Sequence, residues 1–184
     1  MFYGMKDEIT EWAQKNWKII LGVAIAFFFL AFFRNLFFLG AILGLTVITS
    51  VIASRTKTKL FGVELVTFST VLVGYVYGPF WGCIAGIGLE GVNAFIVARW
   101  MRVYNFWVIP SFGVAGIAAG FGFGLGFSTL GIAIAVGLHV IYSFASLVLT
   151  GRLHPKYLMY AVPNIAVNVF MFTGFGARAL GFLS

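Results

Sequence analysis

Charge is scarce in this chain: only 9% of its residues are Asp, Glu, Lys or Arg, and just 5 are acidic. Soluble domains carry about 25% charged residues because their surface faces water, so an ordinary soluble domain is excluded. Cysteine is nearly absent too. Cys83 stands alone, which rules out an intrachain disulfide and a cysteine-rich metal site. The signatures of catalysis are also missing. The sequence has no HExxH, no glycine-rich phosphate loop after a strand, and no Cys/His cluster. No second acid stands close to Glu90 to form a dyad. The expectation is a protein that is not an enzyme, with no cofactor and no metal.

What fills the chain instead is apolar. It is 61% hydrophobic, with 22 Phe and 23 Gly, and its mean hydropathy is +1.03. The solvent for such a surface is lipid. A spanning helix takes roughly 20 apolar residues, so the 184 residues give room for roughly six or seven spans. No nucleotide-driven domain fits beside them. Energy-driven work would need partner subunits.

The net charge of +7 comes from scattered bases. Asp7, Glu8 and Glu11 crowd the start, leaving only Glu64 and Glu90 beyond. Bases set singly or in pairs between apolar runs mark membrane orientation rather than a nucleic-acid stripe. Residues 1–18 read as an interfacial lead-in, amphipathic over Met5–Lys18, with Ile9, Trp12 and Trp17 as anchors. It lacks a cleavage site and is expected to be retained. Residues 19–184 read as one all-α, polytopic transmembrane helical bundle.

The apolar runs are Ile19–Phe33, Leu36–Ala53, Leu60–Gly78, Phe80–Ala98, Phe106–Gly126, Thr129–Thr150 and Tyr157–Gly176. Six crossings follow instead of seven if the first or last run does not cross fully. None shows sustained two-residue alternation, which disfavours a β-barrel. With the N-terminus in the cytoplasm, the lead-in and the loops SRTKTK, RWMR and GRLHPK all fall inside. The Gly-Pro turn, the Gly126–Ser128 turn, Arg34 and Arg178 fall outside. That asymmetry satisfies the positive-inside rule and implies a multi-pass protein of the cell membrane.

Without a hydrophobic drive between helices in lipid, small residues must bring backbones together. Gly40 and Gly44, Gly82 and Gly86, and the series Gly116, Gly120 and Gly124 each recur four apart. So do Gly131 with Ala135, and Ala133 with Gly137. The run Gly120–Gly126 lies inside an apolar span and reads as packing. Gly22 and Ala26 on the first span are the candidate face for a partner subunit.

Ionisable groups in hydrocarbon cost at least about 2.5–3.5 kcal/mol, so they face the bundle interior or water. Glu90 is the one acid deep in a span, with Asn93 and Gly86 on the same helix face. His139 sits midway along the sixth span beside Tyr142 and Ser143. Asn164 and Asn168 share a face of the last, next to Pro163. These five, Glu90, Asn93, His139, Asn164 and Asn168, are the candidate substrate-binding residues. The bland alternative is that they hydrogen-bond to neighbouring helices and glue the bundle. Glu64, beside Arg55, Lys57 and Lys59, reads as a snorkelling ion pair.

The stretch Gly62–Gly86 (GVELVTFSTVLVGYVYGPFWGCIAG) resembles the middle of the substrate-binding subunits of energy-coupling-factor vitamin transporters. The closing PNIAVNVFMFTGFG is similar to the Asn-containing last helix of those proteins and of the rod-shape MreD proteins, which share their fold. The resemblance implies capture of a small, vitamin-like molecule from outside. A transmembrane coupling subunit and paired cytoplasmic ATPases would drive its release. The family's docking pattern of two Ala four apart on the first helix is matched by Gly22 and Ala26 with one substitution. An MreD-like protein would instead be a scaffold with no ligand. A self-sufficient channel or carrier is the third reading, but the halves show no inverted repeat.

The orientation is testable with single cysteines in a Cys83→Ala background. A cysteine at Thr58 should react with an impermeant maleimide only from the cytoplasmic side. One at Ser128 should react only from outside, and the reverse pattern would invert the topology.

Overall fold

The computed structural model of the protein describes residues 15–23, 25, 33–56, 65–98, 105–151 and 155–183. Among the described residues there are helices and short connections, and no strand. Helix α1 covers residues 15–23. It is followed by α2 (Arg34–Thr56), α3 (Val66–Tyr77), α4 (Pro79–Ala98), α5 (Asn105–Phe121) and α6 (Phe127–Thr150). Helix α7 (Pro155–Phe170) continues through a π-helical turn (Met171–Phe175) into α8 (Gly176–Leu183).

Four segments are long and apolar enough to cross a membrane: Arg34–Arg55, Pro79–Ile96, Phe127–Leu149 and Met159–Leu183. Their outward faces carry large apolar side chains, Phe80, Phe144 and Val162 each being about two-thirds exposed. The chain is a multi-pass membrane protein. Helices α3 and α5, with 12 and 17 residues, are apolar but shorter. Twelve residues rise only ~18 Å, against a hydrocarbon core of ~30 Å.

Helix α3 is the central post. Every residue from Val66 to Gly74 is buried, the hydroxyl side chains of Thr67, Ser69 and Thr70 included. It packs against α2, α4, α5, α6 and α8. The closest approaches are made by glycine. A Cβ on Gly116 of α5 would collide with the Gly82 carbonyl of α4, and one on Gly82 would strike both Gly116 and Gly74 of α3. Gly86 lies against the Phe112 backbone, and Gly120 against Pro79. Three helices thus meet backbone to backbone along one seam.

A second core lies between α3, α6 and α7–α8. Phe172 is fully buried. Its ring centroid is 5.2 Å from Phe68 and 5.3 Å from Phe127. The ring occupies the space a side chain at Gly131 would need. The π turn has a geometric reason. The inward residues Asn164, Asn168, Phe172 and Gly176 recur every four positions, which at 3.6 residues per turn walks the stripe ~40° per step. Wider π turns hold it in line. Ser128 Oγ donates to the Phe172 carbonyl at 2.7 Å, on the turn where the regular ladder is broken.

Several boundaries differ from the sequence reading. Arg34 and Asn35, which separate the first apolar run from the second, belong to the helix of the second and open α2. Asn35 Nδ2 donates to the Leu183 carbonyl at 3.1 Å, satisfying a carbonyl that the end of α8 leaves without a helical partner. The run Gly120–Gly126 is not wholly inside a span. Helix α5 stops at Phe121, and Gly122, Phe123 and Gly124 take φ of 65°, 47° and 68°. Two glycines make that left-handed turn accessible. The last helix runs beyond Gly176 to Leu183. Gly40, Gly44 and Gly137 fall on open faces, where an added Cβ would meet nothing within 4 Å. Glu64 and its proposed bases Lys57 and Lys59 lie outside the described residues, as does the lead-in before residue 15.

Gly116→Ala should therefore lower stability by about 2 kcal/mol or more, since overpacking against backbone forces helices apart. Gly137→Ala should be neutral or gain up to about 1 kcal/mol from helix propensity. Thermal unfolding of both variants in detergent micelles checks the contrast.

Candidate binding site within the bundle

Depth along the helices can be read from one end of the bundle. Pro79 opens α4 beside Gly120, and Phe127 opens α6 with its ring 5.3 Å from Tyr75, so both helices start at the same face. Glu90 follows eleven residues after Pro79 and His139 twelve after Phe127. At 1.5 Å per residue both sit ~17 Å from that face. Helix α7 returns antiparallel, with Phe172 packed at the Phe127 and Gly131 level. Asn168 and Asn164 are one and two turns deeper. The predicted polar residues thus lie at similar depths along the bundle.

At that depth hydrogen bonds form two groups. On α4, Asn93 Nδ2 donates to Glu90 Oε2 at 3.0 Å, and both side chains are buried. Between α6 and α7, His139 Nε2 lies 2.8 Å from Asn164 Oδ1. Asn168 Nδ2 donates to the same Oδ1 at 3.0 Å and to the Asn164 carbonyl at 2.9 Å. These bonds settle orientation. A flipped Asn168 amide would point its oxygen at two acceptors, so Nδ2 must face Asn164. Asn164 Oδ1 only accepts, so His139 carries its proton on Nε2. The His139 ring stands edge-on to Tyr142 and Tyr160, with centroids 6.1 and 5.8 Å away.

Leu89, the neighbour of Glu90, and Tyr142 both pack against Val66, Val108, Phe112, Ala115 and Leu138. That cluster draws on α3, α5 and α6.

The arrangement leaves acceptors over. Among the described residues, Asn93 Oδ1 and Asn168 Oδ1 are buried with no hydrogen-bond donor, and the Thr70 hydroxyl, which can donate as well as accept, is buried with no partner. A buried polar atom left without its bond costs about 1–3 kcal/mol. Such atoms in a native protein mark an unmade interaction.

Sequence reasoning missed the hydroxyls. Thr46 Oγ1 of α2 bonds the Ile42 carbonyl at 2.8 Å and lies 2.7 Å from Ser69 Oγ of α3. Ser50 Oγ returns to the Thr46 carbonyl at 2.9 Å. The four-residue spacing of Thr46 and Ser50 was the available signal. Of the candidate docking pair, Gly22 is exposed on α1 and would meet nothing within 4 Å, while Ala26 lies outside the described residues.

A cavity of about 510 Å³ opens at the Pro79 end, lined by Tyr75, Ala119, Gly120, Gly122, Gly124, Leu125 and Gly126. It shares no residue with either polar group. Among the described residues no three His, Cys, Asp or Glu stand close enough to hold a metal ion.

Compared with known protein families, curated proteins and solved structures, the chain matches none.

The interhelical bond is measurable by a double-mutant cycle. His139→Leu and Asn164→Leu should show a coupling of about 0.6–1.7 kcal/mol in thermal stability, the range found for polar contacts between helices in membranes. A coupling near zero would mean that the pair does not tie α6 to α7.

Proposed function

We propose that the protein is the substrate-capture subunit of a small-molecule uptake system in the cell membrane. Separate transmembrane coupling and cytoplasmic ATPase subunits supply the energy. The observation that carries this reading is the set of buried amide oxygens with no donor among the described residues, at the depth of the Glu90 carboxyl and the His139 imidazole. Groups so expensive in hydrocarbon are a functional site by default. Largely apolar walls with a few convergent polar groups are the usual build of a small-molecule site. The resemblance of Gly62–Gly86 and of the PNIAVNVF helix to vitamin-capture subunits points the same way.

In this reading the chain crosses six or seven times, with α3 and α5 among the crossings and the N-terminus in the cytoplasm. The cavity at the Gly122–Gly126 turn then faces outside, where a guest arrives. The coupling subunit docks on the face of the first span that carries Gly22 and Ala26. No enzyme activity is assigned.

A scaffold of the MreD kind is the second reading. What favours it is that His139, Asn164 and Asn168 bond to one another, and that aromatic rings fill the core beside them. In that case the polar groups are glue.

Glu90→Gln separates the two. Under the capture reading, protein purified in mild detergent retains a small organic molecule detectable by mass spectrometry. The variant retains at least tenfold less, with a melting temperature within a few degrees of the parent. Retention unchanged, with a large fall in thermal stability, would make Glu90 a structural residue.

A further inference from the structure

We propose that His139 Nδ1 is the acceptor for a membrane-soluble ligand, a lipophilic phenol that reaches the α6–α7 pair through the lipid. This goes beyond the capture reading and does not depend on it, since it uses only two helices that bond to each other directly. The lone pair on Nδ1 is assigned by a chain of bonds that begins at the backbone. The Asn164 carbonyl can only accept, so the Asn168 group 2.9 Å from it is the NH2. That NH2 also lies 3.0 Å from the Asn164 side chain, which must therefore present its oxygen. The same oxygen faces His139 Nε2 at 2.8 Å, so Nε2 carries the ring proton. A second proton on Nδ1 would put a full charge midway along the span Phe127–Leu149 with no carboxylate bonded to it, which is the costlier state in hydrocarbon.

Nδ1 is left with a lone pair and with no donor among the described residues. Tyr142 and Tyr160 meet His139 as rings, with centroids 6.1 and 5.8 Å away, and not through their hydroxyls. Nor is the atom sealed inside the bundle, for His139 is only half-buried. Val140 beside it, and Met159 and Val162 on the facing helix, are each more than half exposed. On spanning helices such faces meet acyl chains, which have no donor to offer, and water is scarce at that depth. A molecule that completes the bond must dissolve in hydrocarbon and bring one neutral donor. A phenol does both, and its flat ring suits the aromatic edge formed by His139, Tyr142 and Tyr160. Sites that hydrogen-bond a ligand hydroxyl reject the analogue lacking it most strongly.

The chain has 2 histidines. Full-length protein carrying His154→Gln, with histidine labelled in the NMR-active nitrogen isotope and reconstituted in phosphatidylcholine nanodiscs, therefore leaves a single imidazole to read. Para-octylphenol should move the Nδ1 resonance saturably towards the hydrogen-bonded range while Nε2 stays protonated. It should bind at least fivefold more tightly than para-octylanisole, the same molecule with its hydroxyl capped. His139→Phe should abolish that preference, and the resonance of the unsubstituted imidazole decides the matter if this variant does not fold. Equal binding of the two molecules, or an Nδ1 resonance that does not move, would overturn the proposal. So would an Nδ1 already protonated, or already hydrogen-bonded to water, before any phenol is added. The Glu90→Gln experiment reads the capture reading separately.

Discussion

The seam where α3, α4 and α5 touch backbone to backbone is the constraint on which the rest of the bundle depends. In lipid, apolar side chains gain nothing by turning inward, so helices associate through close van der Waals contact and through polar bonds. Gly82 and Gly116 bring two backbones within reach of each other, and Gly74 admits the third. Once these helices are joined, α3 is walled in and its Thr67, Ser69 and Thr70 are buried. The register of the seam also sets the depth of Glu90, one turn beyond Gly86 on α4. A shift at the glycines would move the carboxyl relative to α6 and α7.

The opposite side of the bundle is built differently. There the contacts are made by rings and hydrogen bonds: Phe172 in the space beside Gly131, Ser128 on the Phe172 carbonyl, His139 on Asn164. Helix α7 is also irregular at both ends of its polar stretch. Pro163 lies inside it and the π turn follows Phe170. Proline removes one helical hydrogen bond, and a π turn redistributes several. Asn164 and Asn168 sit between those two interruptions.

How much of this was legible in the sequence depended on what each signal measures. Window hydropathy registers composition, and it placed α4 and α6 within two residues of their observed starts. It cannot register where the backbone turns inside an apolar run, which is why the end of α5 at Phe121 and the π turn were not foreseen. Glycines four apart mark one helix face but do not say which face. Gly82 and Gly116 proved to be in the seam, while Gly40, Gly44 and Gly137 look outward, where a missing side chain costs nothing in lipid. The polar residues were legible individually because hydrocarbon makes them conspicuous. Their pairing was legible only along a helix, as for Glu90 with Asn93 and Asn164 with Asn168. The Thr46–Ser69 contact went unseen because hydroxyls in a helix routinely satisfy themselves on their own backbone, as Ser111 does on the Trp107 carbonyl at 2.7 Å.

The two halves have different mechanical characters, and this bears on how a guest would be held. Glu90 and Asn93 belong to a helix whose backbone is pinned against two others, so their positions are fixed. His139, Asn164 and Asn168 belong to helices joined by side chains that can change partner without separating backbones. A molecule entering between the halves would have to displace something. Breaking a hydrogen bond that can be remade with the guest costs far less than parting a glycine seam that nothing else can fill. Accommodation of a guest would therefore fall to α6 and α7, with Glu90 and Asn93 staying where the glycine seam holds them.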